Sequence, residues 1–160
     1  MKKLLIFLFT FISFAAMAQT PTAPLLVGPT DAQLLTQEAT CTWFNPTYAS
    51  YQPDAVTVAS LKKAFPADAT FMVFGGMWCS DTQNLLPKFF KALEAAGIPK
   101  KSVTLYMLYE QKNSPDKLEK KYGVNNVPTF IVMQNGKEKG RIVESVQKSI
   151  EADLLKLVQQ

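Results

Sequence analysis

The 160 residues contain no histidine. That absence removes Cys–His and Ser–His catalysis and the usual zinc ligand sets at once. There are only two cysteines, Cys41 and Cys79, so at most one disulfide can form within the chain. Glycine is scarce, with seven in all and no Gly-rich phosphate loop among them, so nucleotide and phosphate sites lack a motif and no cofactor is expected. No basic cluster is interleaved with aromatics. Lys100-Lys101 and Lys120-Lys121 are short pairs that read as solvated surface, and nucleic-acid binding has no support.

Only one long hydrophobic run is present, and it opens the chain. Lys2 and Lys3 precede an apolar stretch from Leu4 to Ala15, and Ala16-Met17-Ala18 follows with the small-x-small pattern of a signal-peptidase site. A permanent membrane anchor is the rival reading, but a spanning helix needs about 20 apolar residues. The expectation is therefore a signal peptide over residues 1–18, a periplasmic or secreted protein, and no stable membrane insertion after cleavage. No cysteine follows the cleavage site, so a lipid-anchored form is not indicated. Half of the formal charge of +4 resides in Lys2 and Lys3 and leaves with the leader. An oxidising compartment permits a Cys41–Cys79 bridge.

Residues 19–37 carry scattered Pro, Thr and Ala without periodicity and read as an extended arm. Trp43, Phe44, Tyr48 and Tyr51 crowd the next segment, and so many aromatics are expected to pack across the domain; a substrate-contacting patch is the alternative. Together residues 19–52 form an N-terminal extension packing on a domain spanning 53–160.

Within that domain the pattern predicts a helix from Pro53 to Phe65, stopped by Pro66, and a buried strand from Thr70 to Gly75. A long amphipathic helix runs from about Ser80 to Ala96, with Leu85, Leu86, Phe89, Phe90 and Leu93 on one face and Gly97 ending it. A second strand covers Ser102 to Leu108, and Ser114-Pro115-Asp116 reads as a helix start closing at Gly123. Thr129 to Gln134 and Lys139 to Val143 form a hairpin about Asn135-Gly136. A last helix from about Ser145 carries Ile150, Leu154 and Val158 inward. The order after the arm is α, β, α, β, α, β, β, α. It predicts an α/β domain with a central mixed sheet, part parallel through right-handed crossovers and closed by an antiparallel edge, with helices on its faces.

Trp78-Cys79-Ser80-Asp81-Thr82 places a cysteine between a buried strand and the first turn of a helix. Unpaired N–H groups and a partial positive charge at that end favour a thiolate, the attacking species in thiol chemistry. An inert buried cysteine is the bland alternative. Against it stand the Gly75-Gly76 break before the cysteine, the polar triplet after it and the adjacent tryptophan.

Trp-Cys-x-x after a strand, with Pro87 further along the helix, resembles the active-site region of thioredoxins. Asn126-Val127-Pro128-Thr129-Phe130, opening the strand into the Asn-Gly hairpin, is similar to the cis-proline segment of the same family. The resemblance covers about Pro53 to Gln160. The wider pattern of Trp43-Phe44, Tyr48, Tyr51, Gln52-Pro53-Asp54 and Gly140-Arg141-Ile142-Val143-Glu144-Ser145 is similar to exported thioredoxin-family proteins of Bacteroidetes-type bacteria. It implies a thioredoxin-like fold, Cys79 as nucleophile, a cis bond before Pro128, and Trp78, Val127 and Pro128 as the substrate-binding surface. Val127 would offer its backbone N–H and C=O to an extended substrate chain.

Two departures bear on turnover. Thr82 stands where dithiol thioredoxins carry their second cysteine, and Val73 where they carry a buried carboxylate. Thr82 is expected to turn its hydroxyl to the Cys79 sulfur as part of the catalytic site, while Asp81 would oppose ionisation if close, or else stabilise the helix start. Cys41 is either an idle buried thiol or a resolving partner, the second requiring Cα atoms within about 7 Å. The implied function is monothiol thiol–disulfide exchange, of reductase or isomerase type, with cysteine-containing exported polypeptides or an external thiol reductant as partners. A redox-inactive peptide- or protein-binding module is the alternative. Peroxide reduction is weaker, since no Thr and Arg are arranged around Cys79.

Overall fold

The computed structural model describes residues 25–37 and 41–160. The signal peptide expected over residues 1–18 lies outside them. Among the described residues no helix is long and apolar enough to cross a membrane.

Five strands form one sheet: β1 (Gly28–Thr30), β2 (Ala69–Gly75), β3 (Val103–Met107), β4 (Thr129–Gln134) and β5 (Lys137–Val143), in the order β1-β3-β2-β4-β5. β2 and β3 run parallel, and the other three pairings are antiparallel. The parallel pair is joined through α3 (Ser80–Ala96), because parallel neighbours need a crossover, while β4 and β5 are joined at Asn135-Gly136, both at positive φ. The mixed sheet flanked by helices is the architecture expected.

Alternating side chains on the strands divide the interior into two apolar layers. Phe71, Val73, Leu105, Met107, Phe130 and Val132 face one way and pack with Leu86, Phe89 and Leu93 of α3 and with α5 (Ile150–Val158). Phe74, Tyr106, Leu108, Val127 and Ile131 form the other layer, against which Trp78 and Cys79 pack. Gly97 ends α3 at φ 69°, a left-handed conformation that its missing side chain permits.

Several boundaries differ from the sequence expectation. The arm is not merely extended: Gly28–Thr30 pairs antiparallel with β3, and a 3₁₀ turn follows over Ala32–Thr36, capped by Asp31. The aromatic segment is helical, as α1 (Phe44–Ser50), with Phe44 buried and its ring stacked on Tyr48 and tilted against Phe90. α2 covers Ala55–Ala64, and the Asp54 carboxylate caps it at Thr57 N. α4 is a single turn, Leu118–Lys121, rather than a helix from Ser114. No helix runs on from Ser114 because Lys117 adopts a left-handed φ of 57°; the Ser114 hydroxyl donates to the buried Glu119 carboxylate, lies 3.1 Å from Asp116 Oδ1 and accepts from Leu118 N at 3.2 Å. α5 starts at Ile150, because Ser149 rather than Ser145 takes the cap, accepting from Ala152 N.

Candidate active site

β2 ends at Gly75, and its backbone continues into a tight turn before α3. Leu108 N bonds Gly75 O at 2.8 Å, and Cys79 N closes the turn onto Gly76 O at 3.1 Å. The two glycines do more than interrupt the strand. A Cβ on Gly76 would lie 2.7 Å from the Trp78 ring, and one on Gly75 would lie 3.0 Å from Thr82 Cγ2. Absence of side chains here lets the tryptophan fold over the turn, where its Nε1 donates to Leu108 O at 3.2 Å. Gln83 Nε2 bonds Met77 O at 2.7 Å and ties the turn back to the helix.

Cys79 is the N-cap of α3, half-buried, with extended backbone. Its side chain does not cap the helix. The thiol instead donates to Val127 O, with Sγ 3.2 Å from that oxygen. The Val127–Pro128 peptide bond is cis, and both residues are buried. Three of the residues singled out from sequence, Trp78, Cys79 and Val127, thus share one apolar layer, with Pro128 next in the chain. Thr129 Oγ1 donates to Asn126 O at 2.6 Å and holds the segment just ahead of Val127.

Thr82 is fully buried, but its hydroxyl is not turned to the sulfur. Oγ1 accepts from Gly76 N at 3.2 Å, so the residue fastens the turn and does not, among the described hydrogen bonds, contact Cys79. The reason is positional: at the third residue of α3, Thr82 points inward, beneath the Gly75-Gly76 backbone. Val73 is likewise fully buried, in the layer opposite Cys79.

Cys41 sits in that opposite layer as well, with no exposure, its thiol 3.7 Å from Met77 Sδ. Both cysteines are free. Burial pushes the Cys41 thiol up to about 11. The two cysteines therefore differ sharply in access: Cys79 is half-buried at a surface turn, while Cys41 is enclosed in the core against Met77 of that turn.

A loop that sequence reasoning passed over completes the site. Between β3 and α4, Tyr109 N bonds Asn113 O and Lys112 N bonds Tyr109 O, making a tight exposed turn with Lys112 at φ 56°. The Lys112 ammonium reaches Asn126 Oδ1 at 2.6 Å. One end of the loop is thus fixed beside the Trp78 contact at Leu108, and its tip is fixed beside Val127. Its far end is anchored by Ser114 to the buried Glu119, one of whose oxygens has no hydrogen-bond partner among the described residues. Tyr106, pushed up to about 12 by burial and by Asp116, completes that anchor. Among the described residues, no group of three or more His, Cys, Asp or Glu side chains is placed to hold a metal ion.

The profile of the family described as Thioredoxin matches residues 53–158. The chain belongs to the thioredoxin family. As a thioredoxin-family domain it has a thioredoxin-like fold with extra N-terminal elements, and Cys79 beside Trp78 is consistent with a monothiol-type active site. A crystal structure of a protein of unknown function from Pseudomonas aeruginosa superposes with a TM-score of 0.53 at 16% identity, covering 74% of this chain and 80% of that one. A mutant thioredoxin from Halobacterium salinarum is 24% identical over 57% of this chain and 73% of its own, with a TM-score of 0.40. Fasciola hepatica thioredoxin is 21% identical, with 66% and 91% covered and a TM-score of 0.42. The likeness to the Pseudomonas protein is one of fold alone. No curated protein matches the chain.

Proposed function

We propose that this protein carries out thiol–disulfide exchange through Cys79 alone, on cysteine-containing polypeptides outside the inner membrane. The observation that carries the reading is the half-buried Cys79 sulfur at the start of α3, 3.2 Å from the carbonyl of Val127. A substrate chain lying along Val127 would bring its own disulfide within reach of that sulfur.

The chemistry needs no second active-site thiol. The deprotonated Cys79 sulfur attacks one sulfur of the substrate disulfide. A Cys79–substrate S–S bond forms, the substrate S–S bond breaks, and the departing thiolate takes up a proton. A second thiol then attacks the mixed disulfide and frees Cys79. When it comes from the substrate, a new substrate disulfide forms and the net reaction is isomerisation. When an external thiol reductant supplies it, two reductant thiols are oxidised and the substrate is left reduced. Attack by Cys41 on the Cys79 sulfur would instead release the substrate thiolate and leave a Cys41–Cys79 disulfide, which an external thiol reductant must reopen; the full burial of Cys41 makes it the slower route. Export, argued from the leader over residues 1–18, would place the reaction in the periplasm or outside the cell.

A binding module is the second reading. It is favoured by Thr82, which fills the site of the usual second thiol and whose Oγ1 accepts from Gly76 N. Incubation with a peptide disulfide, followed by intact-mass measurement, separates the two. Exchange predicts a single adduct mapping to Cys79, retained in Cys41→Ser and absent in Cys79→Ser. Wild type that binds the peptide but forms no adduct leaves the binding module.

A further inference from the structure

Cys79 packs in an apolar layer with Trp78 and Val127, and the residue before Val127 meets a cation. Lys112 stands on the tip of the Tyr109–Asn113 turn, exposed, with its ammonium 2.6 Å from Asn126 Oδ1. Asn126 immediately precedes Val127, whose carbonyl lies 3.2 Å from Cys79 Sγ. A fixed cation is therefore carried to the rim of the surface on which a substrate would lie. Two constraints keep it there. The turn is closed by the Tyr109–Asn113 and Lys112–Tyr109 backbone bonds, and Asn126 is held in turn by Thr129. Ionisable groups on the same turn and on the first turn of α3 include the exposed Glu110, Tyr109 and Asp81. None of them has a hydrogen bond to the Asn126–Pro128 segment among the described residues.

We propose that Lys112 is a specificity-determining residue of the Cys79 site, favouring disulfides whose flanking groups are anionic. This rests on the exchange reading above. The ammonium acts directly on the incoming substrate, through charge, and takes no part in bond making at sulfur. Its reach is set by screening, which confines such effects to roughly 10 Å at 0.1 M salt and extends them to roughly 30 Å at 0.01 M. Because one hydrogen bond and one peptide unit separate Lys112 from Val127, its charge falls within that range.

The test uses two small disulfides of opposite charge, dithiobis(nitrobenzoate), a dianion, and cystamine, a dication. Rates of Cys79 adduct formation are measured for wild type, Lys112→Arg, Lys112→Gln and Lys112→Glu. At about 0.01 M ionic strength, Lys112→Glu should lower the anion-to-cation rate ratio at least about fivefold, as expected for reversing a charge beside a doubly charged probe. Lys112→Gln should fall between, Lys112→Arg should match wild type, and about 1 M salt should bring the four ratios together. A ratio that is the same in all four proteins overturns the inference while leaving exchange intact. So does a loss of rate equal for both probes, which marks a turn that merely supports the fold. Failure of wild type to form a Cys79 adduct with either probe overturns the exchange reading and this inference with it.

Discussion

The sulfur of Cys79 lies 3.2 Å from the carbonyl oxygen of Val127, 48 residues further along the chain. Two segments that share no local sequence signal meet there because β2, which delivers the cysteine, pairs antiparallel with β4, which Val127-Pro128 precedes. The contact contributes to the half-buried state of Cys79, against which Val127 and Trp78 pack.

Different access predicts different labelling. Iodoacetamide should modify Cys79 in the native protein and leave Cys41 untouched, with both modified after denaturation. Peptide mapping by mass spectrometry reads the sites. Native labelling of Cys41 at a rate near that of Cys79 would show that the core around Cys41 opens readily, and would restore it as a resolving thiol.

Gly76→Ala should damage the site from beneath. The new methyl group would begin 2.7 Å from the Trp78 ring, too close for the ring to stay. Overpacking of this kind costs about 1–3 kcal/mol. Trp78 would also surrender its bond to Leu108 O. Expected outcomes are a lower midpoint in urea and a changed tryptophan fluorescence maximum. Unchanged values for both would mean the turn can shift as a unit.

Thr82→Cys tests whether the missing second thiol is all that separates this site from a dithiol one. Position 82 is three residues into the same helix as Cys79, and its side chain is buried under the Gly75-Gly76 turn. The variant should oxidise to an intramolecular disulfide, seen as a loss of two hydrogens by intact mass, and should accumulate less mixed disulfide than wild type. Loss of the Gly76 N–H acceptor should cost about 1–3 kcal/mol in stability. A variant that stays reduced under oxidant would locate the barrier in the turn geometry.

Stability should fall at both ends of the pH scale, for separable reasons. Glu151 is buried, which by itself raises its pKa, but the Tyr51 hydroxyl at 2.6 Å and Asp54 N–H at 3.1 Å outweigh burial and hold the carboxyl below its ordinary value. A depressed carboxyl stabilises the fold above its unfolded pKa of about 4.3, and that contribution is lost as pH falls through the folded value. Tyr51→Phe, which removes one of those donors, should cost about 1.5–3 kcal/mol near neutrality and move the acid limb to higher pH. At the other end, the Cys41 thiol is raised to about 11 from 9.0, so its contribution is complete below pH 9 and disappears as pH rises through 11. Cys41→Ala should flatten that alkaline limb in a plot of melting temperature against pH, and an unaltered limb would assign it to other groups.

The parts of the fold that were legible from sequence are those with a local cause. α3 is visible in its apolar stripe and Gly97, β4 and β5 in Asn135-Gly136, and the position of Cys79 at a helix start in Trp78-Cys79 after a strand. Misplaced elements had other causes. Ser114 looked like the start of a longer helix, which the left-handed Lys117 interrupts, and the segment before Asp31 looked featureless because its order comes from pairing with β3. Thr82 failed because its Oγ1 meets Gly76 N rather than sulfur.

Order along the chain, then, determined which residue could be a nucleophile, which helix would carry it, and that a thioredoxin-like sheet would hold both, because periodicity and turn chemistry act between neighbours. Tertiary structure alone decided that the Cys79 thiol meets the Val127 carbonyl, that Cys41 is enclosed in the opposite layer, and that Lys112 arrives beside Asn126. Those three relations join residues brought together only when strands pair and side chains choose faces, and no spacing in the sequence encodes which of several available partners each polar group will finally take.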